Sequence, residues 1–406
     1  MVTLDLRTRV DGDLESIDVV DLFEEQLPQL ASERSYLAVP GARELDVDPF
    51  TVETPDGVWT LSLDGDAVRV VAGDGGQASV RLDSAELTDI VHDLRTPMTL
   101  LAAGSLDMPR GDLGDFLDWW VVLRSLLDAR PVHTGGAIDF QDRDRRELNL
   151  RRSFTLDDDP ADLAHFLAEA GFLHLRSVFS PEEMAEVSAD IDAALPRYVP
   201  DDGRSWWATT ASGEERAVRL QWFHEQSSVT AALLEDDRLL RIAKLTSDGH
   251  SHRREGNTIE ALVKPIGVVQ GISDLPWHKD CSLGRHSYRC CSLTAGISVT
   301  GADERSGQLA VVAGTHRALV QPAFFRRSWR LPEVPLPTES GDMTVHCSCT
   351  MHKSYPPVER ERRVMYTDFT LPSPVDDETA TRSGSEIARV RERAYKTVSQ
   401  APGYLA

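Results

Sequence analysis

The pentapeptide Pro276-Trp277-His278-Lys279-Asp280 contains the only His-x-Asp of this sequence, and with it the first prospect of metal chemistry. On a strand, residues two apart project to one face, so an imidazole and a carboxylate at this spacing can converge on a single ion. A second imidazole is available from His352, in Thr350-Met351-His352-Lys353-Ser354. Two histidines and one carboxylate leave coordination positions open, the arrangement suited to non-haem Fe(II) that activates O2. Arg363 follows in Glu361-Arg362-Arg363-Val364-Met365-Tyr366, and its planar fork matches a carboxylate, so it is the expected partner for a distal carboxylate of a cosubstrate. His346 precedes His352 and, on an unbroken strand, shares its face, so it competes for the distal ligand position.

These residues need elements to hold them. Residues 258–371 alternate short apolar runs with Gly, Pro and charged loops, which predicts an all-β core. A helical preface precedes it: Leu163 to Ala170 is helical, Gly171 to Leu175 extended, and Ser180-Pro181-Glu182-Glu183 opens another helix with a capping box and proline in the first turn. Further upstream, Leu14 to Leu27 has helical spacing, Val58–Leu63, Val68–Val71 and Val80–Leu82 read as strands, and helices follow from Asp83 and from Leu113 to Leu127. The charged stretch 141–147 separates the two regions. The fold class expected is therefore α+β, with an accessory α/β unit over 1–150 and a β-rich unit over 151–406.

Charge supports this division. The 406-residue chain has 66 acidic and 43 basic residues, a net charge of −23. Residues 1–150 hold 30 acidic and 13 basic side chains, leaving 36 and 30 in the remainder. Such acidity excludes a nucleic-acid binder that relies on phosphate neutralisation. No apolar run is long enough for a membrane anchor, and the start of the sequence has neither the basic nor the apolar part of a secretory signal, so a cytoplasmic location is expected. All five cysteines lie between Cys281 and Cys349, an odd number without C-x-x-C spacing, so reduced buried thiols are expected rather than disulfides or a zinc cluster. Only five lysines occur, and Lys264, Lys279 and Lys353 fall in the segments around the candidate site.

Over residues 160–372 the motifs occur in a familiar order. Phe166 to Leu175, Ser180-Pro181-Glu182-Glu183, Trp277-His278-Lys279-Asp280, Ser306-Gly307-Gln308-Leu309 with Ala313-Gly314-Thr315-His316, and Gly341-Asp342 with His352-Lys353-Ser354 and Arg363 together resemble the phytanoyl-CoA dioxygenase family of Fe(II)/2-oxoglutarate oxygenases. The resemblance implies a double-stranded β-helix, or jelly roll, with iron held by His278, Asp280 and His352. It favours His352 over His346, because Arg363 then lies at the family spacing. It also implies that Arg363 clamps the far carboxylate of 2-oxoglutarate with Ser354 adding a hydrogen bond, that Thr294 is a polar contact to the cosubstrate, and that Lys279 faces it. Ala313, Lys353 and Tyr355-Pro356 depart from the family pattern and bear on loop conformation. Halogenating relatives have a small residue in place of Asp280, so the carboxylate favours oxygen insertion or desaturation. The activity implied is Fe(II)-, 2-oxoglutarate- and O2-dependent oxidation of a C–H bond in a small to medium metabolite, in bacterial specialised metabolism.

Arg285, His286 and Tyr288 follow the metal motif on an expected mouth loop and are candidate substrate contacts. Trp222 is another, within the aromatic group Trp206, Trp207, Trp222 and Phe223, for which core packing is an equal account. His316 is read as structural, and His250 and His252 as loop residues. Residues 20–140 faintly resemble a type-two sterol-carrier-protein-like domain, which would imply an apolar tunnel; a plain dimerisation or structural unit is the competing reading. Two other functions remain at this point: a non-catalytic carrier of a hydrophobic metabolite, and a redox sensor built on Cys347 and Cys349.

Overall fold

A computed structural model describes residues 16–252, 257–271, 275–283 and 292–371. The first unit is a helix–sheet layer. Strands β1 (Phe50–Thr54), β2 (Gly57–Asp64), β3 (Ala67–Ala72), β4 (Ala78–Arg81) and β5 (Asp107–Arg110) form a sheet of order β3-β2-β1-β4-β5, in which β4 runs parallel to β1. Helices Leu27–Leu45 and Leu113–Asp128 pack together, and their apolar residues fill a core with Phe50, Trp59, Phe116, Trp119 and Trp120. Phe23 stacks on Trp59, and Phe50 on Phe116. Phe116, Trp119 and Trp120 are all buried in this core.

The second unit opens with helix Pro160–Ala170, β6 (Phe172–Leu175) and helix Pro181–Ala194, the latter closed by the reciprocal Ser180–Glu183 capping box that its sequence predicts. Strands β7 (Ser205–Thr210), β8 (Glu215–Leu220), β9 (Ser251–His252), β10 (Ile259–Lys264), β11 (Val268–Gln270) and β12 (Ser292–Ser298) follow. The chain then forms β13 (Leu309–Val312), β14 (Glu333–Leu336), β15 (Met343–Cys347), β16 (His352–Ser354) and β17 (Arg362–Thr370). A nine-stranded sheet of order β11-β7-β8-β10-β17-β12-β15-β6, with β9 beside β17, faces a three-stranded sheet of order β14-β13-β16, the two layers of a jelly roll.

Alternation along the large sheet separates two faces. Ile259, Ala261, Val263, Leu293, Ala295, Ile297, Met343, Val345, Met365 and Phe369 all point to one apolar core, which also takes Phe166, Met184, Val187 and Ile191 from the two helices. Their strand neighbours of opposite parity make the other face. There Lys264 is paired with Arg362, Glu260 and Gly296 with Tyr366, and Thr294 with both Asp368 and His346. Side chains directly across a strand pair share a face, so these polar groups form one continuous surface.

The two units are stitched by segment 318–330. Leu319 pairs with Val132 and enters the first core, Ala323 packs with Met98 and Leu117, and Arg326 forms an ion pair with Asp118. Helix Pro97–Ala103 lies against the turn Asp280–Leu283. No helix among the described residues is long and apolar enough to cross a membrane.

Candidate metal centre

His278 and His352 face each other through a backbone bridge: each donates its N–H to the other's carbonyl, at 3.0 and 2.9 Å. The expectation of one strand for His278 and Asp280 is modified here. His278 lies in this isolated bridge rather than in a strand, and Asp280 begins the 3-10 turn Asp280–Leu283, which swings its carboxylate back toward the imidazoles. His278 Nε2 and His352 Nε2 lie 3.5 and 3.6 Å from Asp280 Oδ1. One nitrogen from each histidine and one carboxylate oxygen fall within 4.8 Å of one another.

Hydrogen bonds fix the tautomers. His278 Nδ1 is 2.8 Å from the Pro276 carbonyl, and His352 Nδ1 is 2.9 Å from the Thr350 carbonyl. A carbonyl only accepts, so each Nδ1 carries a proton and each Nε2 is the atom turned toward Asp280. Burial, with His278 and His346 beside it, holds the His352 pKa well below the imidazole range, so the ring is neutral. Burial alone would raise the Asp280 carboxyl, but His352, His278 and His346 outweigh it and keep it well below the ordinary carboxylate range. Two imidazole nitrogens and a carboxylate oxygen turned toward one space make a donor set for a cation. The donor set fits Fe(II) with open positions.

His346 is placed differently from the sequence expectation. It lies on β15, whereas His352 is on β16 of the other sheet, with a turn between them. The buried ring donates through Nε2 to Asp280 Oδ2, at 3.2 Å, and Thr294 Oγ1 is 3.2 Å from the same oxygen and 2.9 Å from Asp368 Oδ1. Oδ1 of Asp280 thus faces the two ligating nitrogens while Oδ2 is held by His346 and Thr294. Thr294, expected to touch the cosubstrate, is found steadying the carboxylate.

A basic pocket adjoins this set. Lys264 donates to Ser354 Oγ, and the buried Arg362 donates through Nη1 to the Gly307 carbonyl at 2.7 Å and reaches Ser354 Oγ at 3.4 Å. Gly307 has φ +79°, and a Cβ there would stand 2.4 Å from the Tyr355 carbonyl, so this approach requires glycine. Among the described residues, Arg362's hydrogen bonds go to neutral acceptors, and its buried Nε has none. An uncompensated buried guanidinium beside a lysine is costly unless an anion joins it. The residues present therefore fit the carboxylate of 2-oxoglutarate.

Arg363, assigned to this role from its spacing, points the opposite way. Its parity is that of Met365 and Phe369, so the side chain enters the helical layer, where it meets Ser188 O and Oγ at 3.0 Å, Asp192 Oδ1 at 2.8 Å and Glu361 Oε1 at 3.1 Å. Lys279 does not face the cosubstrate pocket as expected: fully buried, it donates to the Thr315 carbonyl at 3.0 Å, and burial lowers its pKa. Lys353 lies between the rings of Trp277 and Tyr355 and pairs with Glu333. Trp222 occupies a left-handed turn, beneath Arg204 and bonded to Asn257, and no contact among the described residues carries it to the metal ligands. Arg285, His286 and Tyr288 lie outside the described residues. Cys281, Cys347 and Cys349 are buried. Sequence reasoning missed Arg362 and Asp368; Lys264 was signalled only by the rarity of lysine.

Residues 167–364 match the family described as phytanoyl-CoA dioxygenase (PhyH). No curated protein sequence matches the chain. Among solved structures, AviO1 from Streptomyces viridochromogenes is 22% identical with a TM-score of 0.42, covering 54% of this chain and 97% of its own. The epimerase SnoN from nogalamycin biosynthesis, described as non-haem and α-ketoglutarate-dependent, is 19% identical with a TM-score of 0.41, over 54% of this chain and 89% of its own. EctD from S. alaskensis is 21% identical with a TM-score of 0.43, over 55% and 82%. Residues 167–364, just under half of the chain, thus match the phytanoyl-CoA dioxygenase family and hold the His278–Asp280–His352 set, so this part of the chain is of the Fe(II)- and 2-oxoglutarate-dependent oxygenase type.

Proposed function

We propose that this enzyme oxidises a C–H bond of a small to medium organic molecule, with His278, Asp280 and His352 holding the iron and Arg362, Lys264 and Ser354 receiving the far carboxylate of 2-oxoglutarate. The observation that carries this reading is the convergence of two imidazole Nε2 atoms on Asp280 Oδ1, next to a buried guanidinium whose Nε has no partner among the described residues. Bound iron, together with 2-oxoglutarate and O2, supplies the oxidative decarboxylation and the oxidising power for C–H cleavage. The protein's own groups do the positioning. The Pro276 and Thr350 carbonyls keep the protons of both rings on Nδ1, while His346 and Thr294 fix the orientation of Asp280. The buried walls around His352 and Ser354 restrict water. A carboxylate at Asp280 occupies a coordination position, which favours hydroxylation or desaturation over halide transfer. The division into an accessory unit over 1–150 and a catalytic unit over 151–406 accords with the two separate cores.

Anaerobic addition of Fe(II) and 2-oxoglutarate should produce a weak visible charge-transfer band from bidentate chelation, absent when either is omitted. No band, with the protein folded and iron bound, would remove this reading and favour a ligand-binding protein without turnover.

A further inference from the structure

Tyr366 lies on the polar face of the large sheet, between Arg362 and Asp368 on β17. Alternate residues of a strand share a face, and each step of two covers roughly 6.6 Å, so Tyr366 occupies the ground between the guanidinium and the Thr294–Asp368 contact beside Asp280. A molecule that reaches from the metal ligands to Arg362 and Lys264 runs alongside it.

The opposing strand makes room for its ring. Gly296 stands directly across from Tyr366 on β12, and a Cβ there would lie 2.8 Å from Tyr366 Cε1 and 3.0 Å from Thr344 Oγ1. Gly296 is not among the glycines with positive φ, so it serves the close approach of the ring rather than a special backbone conformation. The half-buried side chain then reaches back along the strand, and Arg362 Nη2 donates to its Oη at 3.5 Å. The hydroxyl accepts in that contact, and its own proton has no acceptor among the described residues. Glu260, across from Tyr366 on β10, is already engaged by Arg219 and Asn257. A neutral O–H donor next to a guanidinium and an ammonium is completed by an anion with several lone pairs.

We propose that Tyr366 is a cosubstrate-binding residue: its hydroxyl donates to the far carboxylate of 2-oxoglutarate beside Arg362, and Gly296 is what lets its ring take this position. This assignment rests on the 2-oxoglutarate reading of the basic pocket. Acids that lack the far carboxylate gain nothing from this donor, so Tyr366 favours 2-oxoglutarate over shorter chelators.

Anaerobic titration calorimetry of the full-length, Fe(II)-loaded protein tests this with 2-oxoglutarate and with oxalate, which can chelate the metal but is too short to reach Arg362. Tyr366→Phe keeps the ring and removes the donor; it should weaken 2-oxoglutarate binding roughly tenfold and leave oxalate binding as in the wild type. Gly296→Ala should displace the ring and weaken 2-oxoglutarate by a similar factor, yet add little in the Tyr366→Phe background, because both changes remove the same bond. Unchanged 2-oxoglutarate affinity in folded Tyr366→Phe, an equal loss for oxalate, or full additivity of the two substitutions would overturn the assignment while leaving the cosubstrate reading in place. A wild type that binds Fe(II) but not 2-oxoglutarate would overturn both.

Discussion

The two faces of the large sheet are made from alternate residues of the same strands and serve opposite ends. Toward the helices, Val263, Ile297, Val345 and Met365 are wholly buried in the apolar core. Toward the small sheet, Lys264, Arg362 and His346 are almost as deeply buried and, with the half-buried Thr294, carry charge or hydrogen-bonding groups. The first face supplies stability, because burying apolar side chains is favourable by roughly 1.5–3 kcal/mol each. The second face costs stability unless its groups are paired, and the missing partners are what a metal and an anionic cosubstrate provide. The division between holding the fold and binding the reactants is thus drawn at the pleat of each strand.

Substitutions on each face should separate these contributions, and the metal ligands come first in size of effect. His278→Ala or Asp280→Ala should reduce iron-dependent succinate formation by on the order of a thousandfold or more, about 4 kcal/mol; undiminished turnover in a folded variant would remove the ligand assignment. Next, Arg362→Ala should raise the KM for 2-oxoglutarate roughly a hundredfold, in line with the loss of about 1.5–3 kcal/mol from hydrogen bonds to a charged group. Arg363→Ala should leave that KM in place and lower stability by about 1–2 kcal/mol in chemical denaturation. The reverse pattern would exchange the roles of the two arginines. His346→Phe and Thr294→Val release Asp280 Oδ2 without touching a ligand atom, and each should weaken iron binding by roughly tenfold to a hundredfold; equal affinity would make those contacts incidental. At the metal centre the smallest change is expected from the apolar face: Met365→Ala should cost about 2–4 kcal/mol of stability with little change in KM.

The metal motif was legible in the sequence because two of its ligands lie within three residues and the third carries a distinctive neighbour, Ser354. The elements were legible for a related reason: the Ser180–Glu183 cap, the helix before Gly171 and the strand alternation are local signals. What spacing could not decide was parity. Arg362 and Arg363 are adjacent, and only the pairing of Lys264 with Arg362 and of Val263 with Arg363 tells which enters the pocket. A count from His352 crosses the loop 355–361, whose length carries no record of the strand register. His346 was misplaced similarly, because the turn between Cys347 and His352 moves the chain from one sheet to the other. Lys279 was misread since the residue between two ligands need not share their direction, and here it serves the Thr315 carbonyl instead.

The contact of helix Pro97–Ala103 with the Asp280–Leu283 turn bears on how this protein can be cut and recombined. A fragment beginning at the charged stretch 141–147 would leave that turn without its neighbour and would expose Leu319 and Ala323, which are buried among residues of the first unit. A chimera that exchanges the N-terminal unit must therefore match two surfaces at once, one at segment 318–330 and one at the turn that carries Asp280. Sequence boundaries mark where the chain crosses from one core to the other; they do not mark a clean line of separation.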